Sequence, residues 1–508
     1  MAALSIIVRL LPLWRCPTLG IDNWYWLLVA EDVKRRRRLP ARLPYYLLED
    51  AEQWYPPLYA GLLALVPMRV LERHGGKVTQ LVDVVHGLVA AGAVLASGSH
   101  PVVAAAAGVS YAVAYFPLAY NVQLQPRGIA NLLLTLAVGG LWWYHATGSL
   151  AVWGGLLAVS TALLLLHKMT AQNWVVFLAG FGLWAWDWRI PVLLPASMAA
   201  ATVLTGGFYL KVLRAHWDIV TFWHRHMRYL GSHQYYESPR YRKEGFVTTA
   251  YHQPGLKGVV GKLVTLATCN VYLVMVPVLV YASATAEGGR SPLETFLWLW
   301  LGMSVGWTLL TALVPGFQAL GAGVLYLYQS FVPLFALAGL CLWNAPTGVQ
   351  VAGFGLWAVA LAASVHGYVR YMRGLGRGDA TALNDDLRRI LDRLADLPEG
   401  GVYCIPFQLP DIVAYRTRKP VFWGGHGYGF HRYLAPYFPV MRESVRETLH
   451  RRDLRYVLFW RGYLDALEDI GLAEGRDICL LAEEGEYALY EVLEPDPSAP
   501  AAEPAAEA

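Results

Sequence analysis

Charged side chains are scarce in this sequence. Only 15% of its 508 residues are Asp, Glu, Lys or Arg, whereas 56% are hydrophobic. Soluble globular domains carry about 25% charged residues, because their surfaces face water. The shortage of charge excludes an ordinary soluble protein and predicts a membrane protein.

Cysteine is also rare, and internal repeats are missing. The five cysteines are scattered without Cys-x-x-Cys spacing, and their number is odd. This pattern excludes a disulfide framework and argues against a zinc site. No stretch recurs at a fixed period, which argues against a solenoid.

Long apolar blocks, in contrast, follow one another along the chain. Each is close to the roughly 20 residues that a helix needs to cross a bilayer. They predict a mainly α fold, a polytopic helical membrane bundle with about 11 to 13 spans. The first block contains Arg9 and could be a signal peptide, but no small-residue cleavage site follows it, so a retained helix is favoured. The blocks cover 4–19, 56–72, 79–97, 101–120, 128–146, 149–166, 170–186, 190–213, 262–283, 293–313, 317–341 and 348–370.

Composition divides the chain into a membrane domain, 1–372, and a small soluble α/β domain, 373–491, with a tail at 492–508. The soluble domain opens with a helical leucine pattern and continues with short runs rich in β-branched and aromatic residues. The tail is rich in Pro, Ala and Glu, and we expect it to be disordered. Within the membrane domain, the first loop, 20–55, and the second polar loop, 214–261, are too long to be turns.

Positive charge is concentrated beside the apolar blocks, as in the run of five bases at 34–38. Bases in this position favour anionic lipid headgroups, by about 1 kcal/mol each. A nucleic-acid footprint would instead cover a soluble face. The sequence therefore predicts membrane lipids as partners and no nucleic acid.

Acidic and aromatic side chains occur together in the first loop. Asp22 follows the first block and is followed by Trp24 and Tyr25. A carboxylate at the membrane interface can accept a proton from a reactant, but Asp is also a favoured N-cap. Glu49 and Asp50 lie in the same loop and could simply form a solvated face.

Several ionisable residues lie within or at the ends of the predicted spans. Arg127, His167 and Lys168 lie at helix ends, where they could hold phosphate or could flank the spans as ordinary cytoplasmic bases. Asp83 and His86 are three residues apart, on one face of the third block. We expect these two to pair with each other and stabilise the bundle.

Histidines occur in two further segments. The group His216, His224, His226 and His233 suggests a metal site, but residues 224 and 226 would point in different directions from one helix, so no metal is predicted. His426 belongs to "WGGHGYGFHR", a Gly-rich loop that could hold a phosphate or sugar through backbone amides. The alternative is a turn that needs positive φ.

The order of the motifs resembles that of the GT-C superfamily of integral-membrane glycosyltransferases, particularly oligosaccharyltransferase catalytic subunits and protein O-mannosyltransferases. The similarity covers about residues 4–210. It lies in "DNWYW" after the first helix, the basic stretch, the acids before "WYPPLYAGLLALVP", and then "NVQLQPRGIANLLLTLA" and "LLLLHKMTAQNWVVFL". Two features depart from the family pattern. Trp26 stands where a His usually follows the aromatic residue, and a second Asp-x-Asp motif is missing.

The resemblance implies transfer of a sugar from a polyprenyl-phosphate carrier to an acceptor at the outer face of the plasma or inner membrane. It implies no cofactor, with a divalent cation left open. It also implies three groups of residues. The first group contains the catalytic carboxylates, of which Asp22 acts as the general base (Asp22, Glu49, Asp50). The second group binds the donor phosphate (Arg127, His167, Lys168, Arg35, Arg36). The third group contacts the sugar or the acceptor (Trp24, Tyr25, Tyr55, His426).

Two other classes of protein remain possible on sequence alone. In a transporter or lipid flippase, the intramembrane charges would line the path of the transported molecule. Such proteins usually show inverted repeats and broken helices in matching halves, and neither is evident. A non-catalytic subunit of an envelope-polymer assembly system would use the C-terminal domain for docking. We also expect the C-terminal domain to lie on the same side of the membrane as the Asp22 loop, whereas twelve spans and the basic stretch "YVRYMRGLGR" would place it in the cytoplasm by the positive-inside rule.

Overall fold

A bundle of α-helices forms most of the computed structural model, and a small mixed β-sheet lies near the C-terminus. This arrangement confirms the predicted fold class. The residues that the structure describes are 1–16, 20, 22–39, 42–48, 54–227, 255–286, 289–321, 323–375, 382–424, 429–464 and 466–494.

Proline and glycine set many helix boundaries in the first half of the chain. Proline occupies the first helical position of α3 and α5, where its missing N–H costs nothing. Gly148 ends α7 in the left-handed conformation, which glycine adopts without strain. The helices are α1 (Ala2–Arg15), α2 (Asp22–Arg36), α3 (Pro57–Ala64), α4 (Met68–Ala96), α5 (Pro101–Ala112), α6 (Tyr115–Tyr120), α7 (Arg127–Thr147), α8 (Leu150–Leu164), α9 (Lys168–Ala185), α10 (Arg189–Leu204) and α11 (Phe208–Arg225).

The second half of the membrane domain contains two helices that continue from short 3₁₀ segments. The segment Val271–Met275 leads directly into α13, and Gly323–Ser330 leads into α16. The bundle ends with α17, which runs to Gly374, next to the domain boundary predicted at 372. The helices are α12 (Gly255–Cys269), α13 (Val276–Thr285), α14 (Pro292–Leu313), α15 (Pro315–Gln318), α16 (Phe331–Trp343) and α17 (Thr347–Gly374).

Long apolar helices are fewer than the apolar blocks. Within the described ranges, five helical segments have the length and hydropathy to cross a membrane, or up to seven if each of two sharply bent helix pairs counts as one span. The difference from about twelve blocks arises because helix boundaries do not follow block boundaries. For example, α4 includes residues 73–78, which separate two predicted spans, and the block at 101–120 is divided into α5 and α6.

An ion pair is buried in the bundle, between α1 and α4. Arg9 Nη1 lies 2.6 Å from Asp83 Oδ2, and both side chains are fully buried. The hydroxyls of Tyr111 and Tyr328 donate to the same carboxylate. His86 instead contacts a threonine hydroxyl on α7, so the expected pairing of Asp83 with His86 is wrong. A buried carboxylate requires a cation, and Arg9 supplies it.

The C-terminal domain contains a four-stranded sheet with the strand order β1-β2-β4-β3. Strands β1 and β2 are parallel, and the other two pairs are antiparallel. Four of the five predicted strand runs form these strands, whereas the run at 419–424 forms only isolated bridges at Val421. The elements are α18 (Asp385–Asp396), β1 (Gly401–Ile405), α19 (Pro410–Thr417), α20 (Val445–Arg451), β2 (Leu454–Trp460), β3 (Ile478–Glu484) and β4 (Tyr487–Val492).

Helix α18 begins at a capped end. The Asn384 side-chain oxygen accepts a hydrogen bond from the backbone N–H of Leu387 at 2.7 Å. Leu387, Ile390, Leu391 and Leu394 form the buried face of the helix. The predicted amphipathic helix therefore has an asparagine as its cap.

Loss of this cap should weaken the C-terminal domain. We expect Asn384→Ala to lower its free energy of unfolding by about 1 kcal/mol, since one backbone donor loses its partner. Asn384→Asp should change it little, because aspartate caps equally well. Denaturant unfolding followed by hydrogen exchange of the α18 backbone amides would measure both, and equal stabilities of the alanine and wild-type proteins would contradict the cap.

Candidate functional site

Residues 45–48 of the first loop are hydrogen-bonded to the C-terminal domain. The backbone N–H of Leu47 donates to the Val421 carbonyl at 2.9 Å, and the N–H of Leu48 donates to the Phe422 carbonyl at 3.0 Å. Residues 45–48 thus form an isolated parallel bridge beside the 421 segment, which itself bonds to β1. These contacts support the prediction that the loop and the domain lie on the same side of the membrane.

Side chains reinforce this docking. The Tyr46 hydroxyl donates to Asp411, which is buried at the start of α19. Burial and the neighbouring carboxylate both raise the pKa of Tyr46, so its hydroxyl keeps the proton that it donates. Arg418 forms a two-point ion pair with Glu31 on α2. The C-terminal domain therefore holds α2, the helix that begins with Asp22.

Asp22 is the first residue of α2, and a glutamine from between α6 and α7 holds it. Gln123 Nε2 donates to Asp22 Oδ2 at 3.0 Å, and the backbone N–H of Asp22 donates to Gln123 Oε1 at 3.2 Å. Gly20 leaves the space that this amide occupies, because a Cβ at that position would lie 1.9 Å from Gln123 Oε1. The amide thereby fixes the direction of the carboxylate.

Asp22, Arg127 and Lys168 all lie close enough to His167 to shift its pKa. Arg127 begins α7, His167 caps α9 by accepting from the Thr170 N–H, and Lys168 begins α9. Burial lowers the pKa of His167 well below its ordinary range, and the charges of Arg127 and Lys168 lower it further, whereas the Asp22 charge opposes them. His167 is therefore neutral at pH 7, and the positive charge of the group comes from Arg127 and Lys168.

Arg127 is the unusual member of this group. It is only 8% exposed, and its guanidinium lies over the Tyr120 ring at 5.2 Å. Within the described part of the chain, its Nε and Nη1 have no hydrogen-bond acceptor. Buried donors without partners cost about 1–3 kcal/mol, and more when charged, so they indicate a place for an anionic ligand.

The predicted surface cations lie elsewhere. Arg35 follows Asp22 by 13 positions on α2, which corresponds to about 20 Å along the helix axis. Both Arg35 and Arg36 pair with Asp32, at 2.7 and 2.8 Å. Arg35 and Arg36 therefore do not join Arg127 and Lys168, since they complete an ion pair at the opposite end of the helix.

The predicted aromatic contacts are mostly interior. Trp24 is 4% exposed and packs against Tyr415 of α19, with ring centroids 5.8 Å apart. Tyr25 is 1% exposed and packs against Trp26. Trp24 and Tyr25 therefore fill the contact between α2 and its neighbours, because α2 is covered on several sides. Tyr55 is half-buried against Trp26.

Three predicted site residues, Glu49, Asp50 and His426, lie outside the described residues. Of the others, Asp22, Arg127 and Lys168 lie close enough to His167 to shift its pKa. Gln123 was not among the residues predicted from the sequence, although its polar stretch "NVQLQPRG" between two apolar helices was the available signal. Among the described residues, no group of three or more His, Cys, Asp or Glu side chains could hold a metal ion.

Gln123 should act as a positioning residue for Asp22. For the sugar transfer that the sequence resemblance implies, we expect Gln123→Met to lower kcat about tenfold or more, because a hydrogen bond to a charged group contributes about 1.5–3 kcal/mol. KM for both substrates should stay near the wild-type value. The matched control is Gln350→Met, which removes the amide bonded to the Trp343 carbonyl. If the melting temperature of Gln123→Met falls together with its kcat, the result would contradict a positioning role.

Comparison with known proteins gives structural but not sequence relatives. No protein-family model and no curated protein sequence matches the chain. The archaeal oligosaccharyltransferase AglB from Archaeoglobus fulgidus, solved with an inhibitory peptide and a dolichol-phosphate, superposes with a TM-score of 0.58 at 10% identity, over 90% of this chain and 68% of that one.

A second solved structure matches over nearly its whole length. ArnT from Cupriavidus metallidurans, bound to undecaprenyl phosphate, superposes with a TM-score of 0.57 at 12% identity, over 96% of each chain. The similarity covers the helical bundle and the C-terminal domain together. The chain therefore has the GT-C-like fold, and it is a multi-pass membrane protein.

Proposed function

We propose that this protein is a membrane glycosyltransferase that moves a sugar from a polyprenyl-phosphate carrier to an acceptor at the extracytoplasmic face of the membrane. The observation that carries the proposal is the buried Arg127 guanidinium with unpartnered donors in the same group as Asp22 and Lys168. The structures of AglB with dolichol-phosphate and ArnT with undecaprenyl phosphate support the choice of carrier.

The proposed reaction is a displacement at the anomeric carbon of the donor sugar. An acceptor hydroxyl forms the new bond to this carbon as the bond to the phosphate oxygen breaks, and that electron pair leaves with the carrier phosphate. Asp22 takes the hydroxyl proton, for which its Gln123-held carboxylate is suited.

Charge grows on the phosphate as it leaves, and a cation already in place stabilises this charge most effectively in a site that excludes water. Arg127 can bind phosphate through two parallel N–H groups, and Lys168 adds a second positive charge. His167 is neutral at pH 7, so it orients α9 through its cap rather than adding charge. Arg35 and Arg36 have no part in this step, because they pair with Asp32 at the far end of α2.

The test is a transfer assay with the purified protein in proteoliposomes. The donors are polyprenyl phosphates that each carry one radiolabelled monosaccharide, and the acceptor is a total extract of membrane glycans. We expect label to move from the lipid phase to the acceptor and free polyprenyl phosphate to be released in equal amounts. Movement of intact labelled lipid between leaflets without release of polyprenyl phosphate would instead support a flippase and contradict the proposal.

A further inference from the structure

The loop 121–126 joins α6 to α7 and connects two parts of the candidate site. Its Gln123 side chain holds the Asp22 carboxylate through two hydrogen bonds. Arg127 follows the last residue of the loop as the first residue of α7. One short loop therefore separates the side chain that holds the proposed base from the cation that is proposed to bind the donor phosphate.

We propose that this loop sets the distance between Asp22 and Arg127, and that Gly76, Asn121 and Tyr328 act as positioning residues for the loop. The roles of the acid and the cation rest on the proposed function, whereas the positioning rests on the contacts of the loop itself. In the proposed displacement, the acceptor hydroxyl and the leaving phosphate lie on opposite sides of one carbon, so the base and the cation need a fixed separation. A misplacement of about 1 Å caused far from the reacting atoms can lower a rate about 100-fold.

Buried polar side chains fix the first residue of the loop to the helical bundle. Asn121 is fully buried, and its Nδ2 donates to the Tyr328 hydroxyl at 2.6 Å. The Tyr328 hydroxyl donates in turn to Asp83, the carboxylate that pairs with Arg9. Hydrogen bonds to charged groups are roughly twice as strong as those between neutral groups. The loop therefore begins at a side chain that a single hydroxyl connects to a buried ion pair.

The oxygen of the same amide continues this network toward the proposed phosphate-binding cation. Asn121 Oδ1 accepts a hydrogen bond from Gln125 Nε2 at 3.3 Å, and this Nε2 also donates to the Tyr120 carbonyl. The Tyr120 ring packs against the Arg127 guanidinium, which lies 5.2 Å from the ring centroid. Asn121 thus connects the buried ion pair to the ring that supports Arg127.

Helix α4 approaches the backbone of the loop through a glycine. A Cβ at Gly76 would lie 2.4 Å from the Val122 carbonyl oxygen, so any larger residue requires the loop or the helix to move. The backbone N–H of Leu124 donates to the Asn23 side chain at 3.3 Å, and Asn23 follows Asp22 on α2. A displacement of the loop should therefore reach the base as well as the cation.

Gly76→Ala gives the first test, because it moves the loop without removing a polar group. We expect the full chain to lose about tenfold or more in kcat for sugar transfer and to bind radiolabelled undecaprenyl phosphate more weakly. The amides of 121–126 should exchange hydrogen faster in mass spectrometry. Gly92→Ala is the matched control, since it adds the same methyl group to α4 where no other atom lies within 4 Å. It should match the wild type in all three measurements.

Tyr328→Phe gives the second test, because it removes only the hydroxyl to which Asn121 donates. We expect kcat to fall about tenfold, since the hydrogen bond to a buried carboxylate is lost with it. Tyr272→Phe is the control, because it removes an equally buried hydroxyl that donates to the Ser110 carbonyl, away from the loop. A positioning residue acts through the group that it positions. The loss caused by Tyr328→Phe should therefore be several-fold smaller in a protein that already carries Arg127→Gln.

Other outcomes have different consequences. Wild-type kcat, lipid binding and hydrogen exchange in Gly76→Ala would overturn the proposal. Equal losses from Tyr328→Phe with and without Arg127→Gln would also overturn it, as would melting temperatures that fall in proportion to kcat in both test variants. If the wild type transfers no sugar, but Gly76→Ala and Tyr328→Phe weaken lipid binding and speed exchange in 121–126, the positioning of Arg127 is supported and the proposed function is contradicted.

Discussion

Asp22→Asn should lower the rate of sugar transfer by about 10²- to 10⁴-fold, which is the usual contribution of a general base. Asparagine has the same shape as aspartate and can still accept the hydrogen bond from Gln123 Nε2 through its oxygen. It also caps a helix as well as aspartate does, so α2 should keep its start and the protein its stability. The measurement is release of labelled sugar from its polyprenyl phosphate by purified wild type and variant, beside their thermal melting curves.

Glu49→Gln and Asp50→Asn are the companion variants, since both acids belong to the same loop. If Asp22→Asn stays active and Asp50→Asn is inactive, the base is a different acid of this loop and the enzyme proposal stands. Normal transfer by all three variants would show that the loop does not supply the base. If both the melting temperature and the activity fall in Asp22→Asn, Asp22 acts as a structural cap of α2.

Arg127→Gln should lower kcat for transfer by about 10²- to 10³-fold, the usual effect of removing one preorganised donor to a developing negative charge. The expected effect is large because Arg127 is buried at 8% exposure, where water and salt screen charges weakly. Glutamine keeps part of the side-chain length and a donor but removes the charge. Initial rates at saturating labelled donor would separate kcat from KM.

Arg36→Gln is the matched control for Arg127→Gln. Arg36 is partly exposed and already pairs with Asp32, so its replacement should change transfer by less than about threefold. Equal losses in the two variants would contradict the placement of the donor phosphate at Arg127. Lys168→Gln should give an effect between the two, because it removes one of the two positive charges beside His167.

The candidate site was only partly predictable from the sequence. Asp22 and Arg127 could be named because an acid after a first helix and a base before an apolar block are local patterns. The partner of Asp22 could not be named from the sequence, because Gln123 lies 101 residues away and no periodicity connects the two residues. Trp24 and Tyr25 were expected to contact sugar, but α2 is enclosed by other helices and by the C-terminal domain, which buries both rings.

Local sequence patterns by themselves determined the membrane character, the amphipathic helix α18 and the strands β1 to β4, because apolar length and residue alternation act over neighbouring positions. Tertiary structure alone decided which charges meet. It paired Arg9 with Asp83, brought Arg127 close to His167 from another helix, and joined residues 45–48 to the C-terminal domain. A buried charge or an open strand edge needs a partner but does not specify where in the chain that partner lies, so only the packing of distant segments selects it.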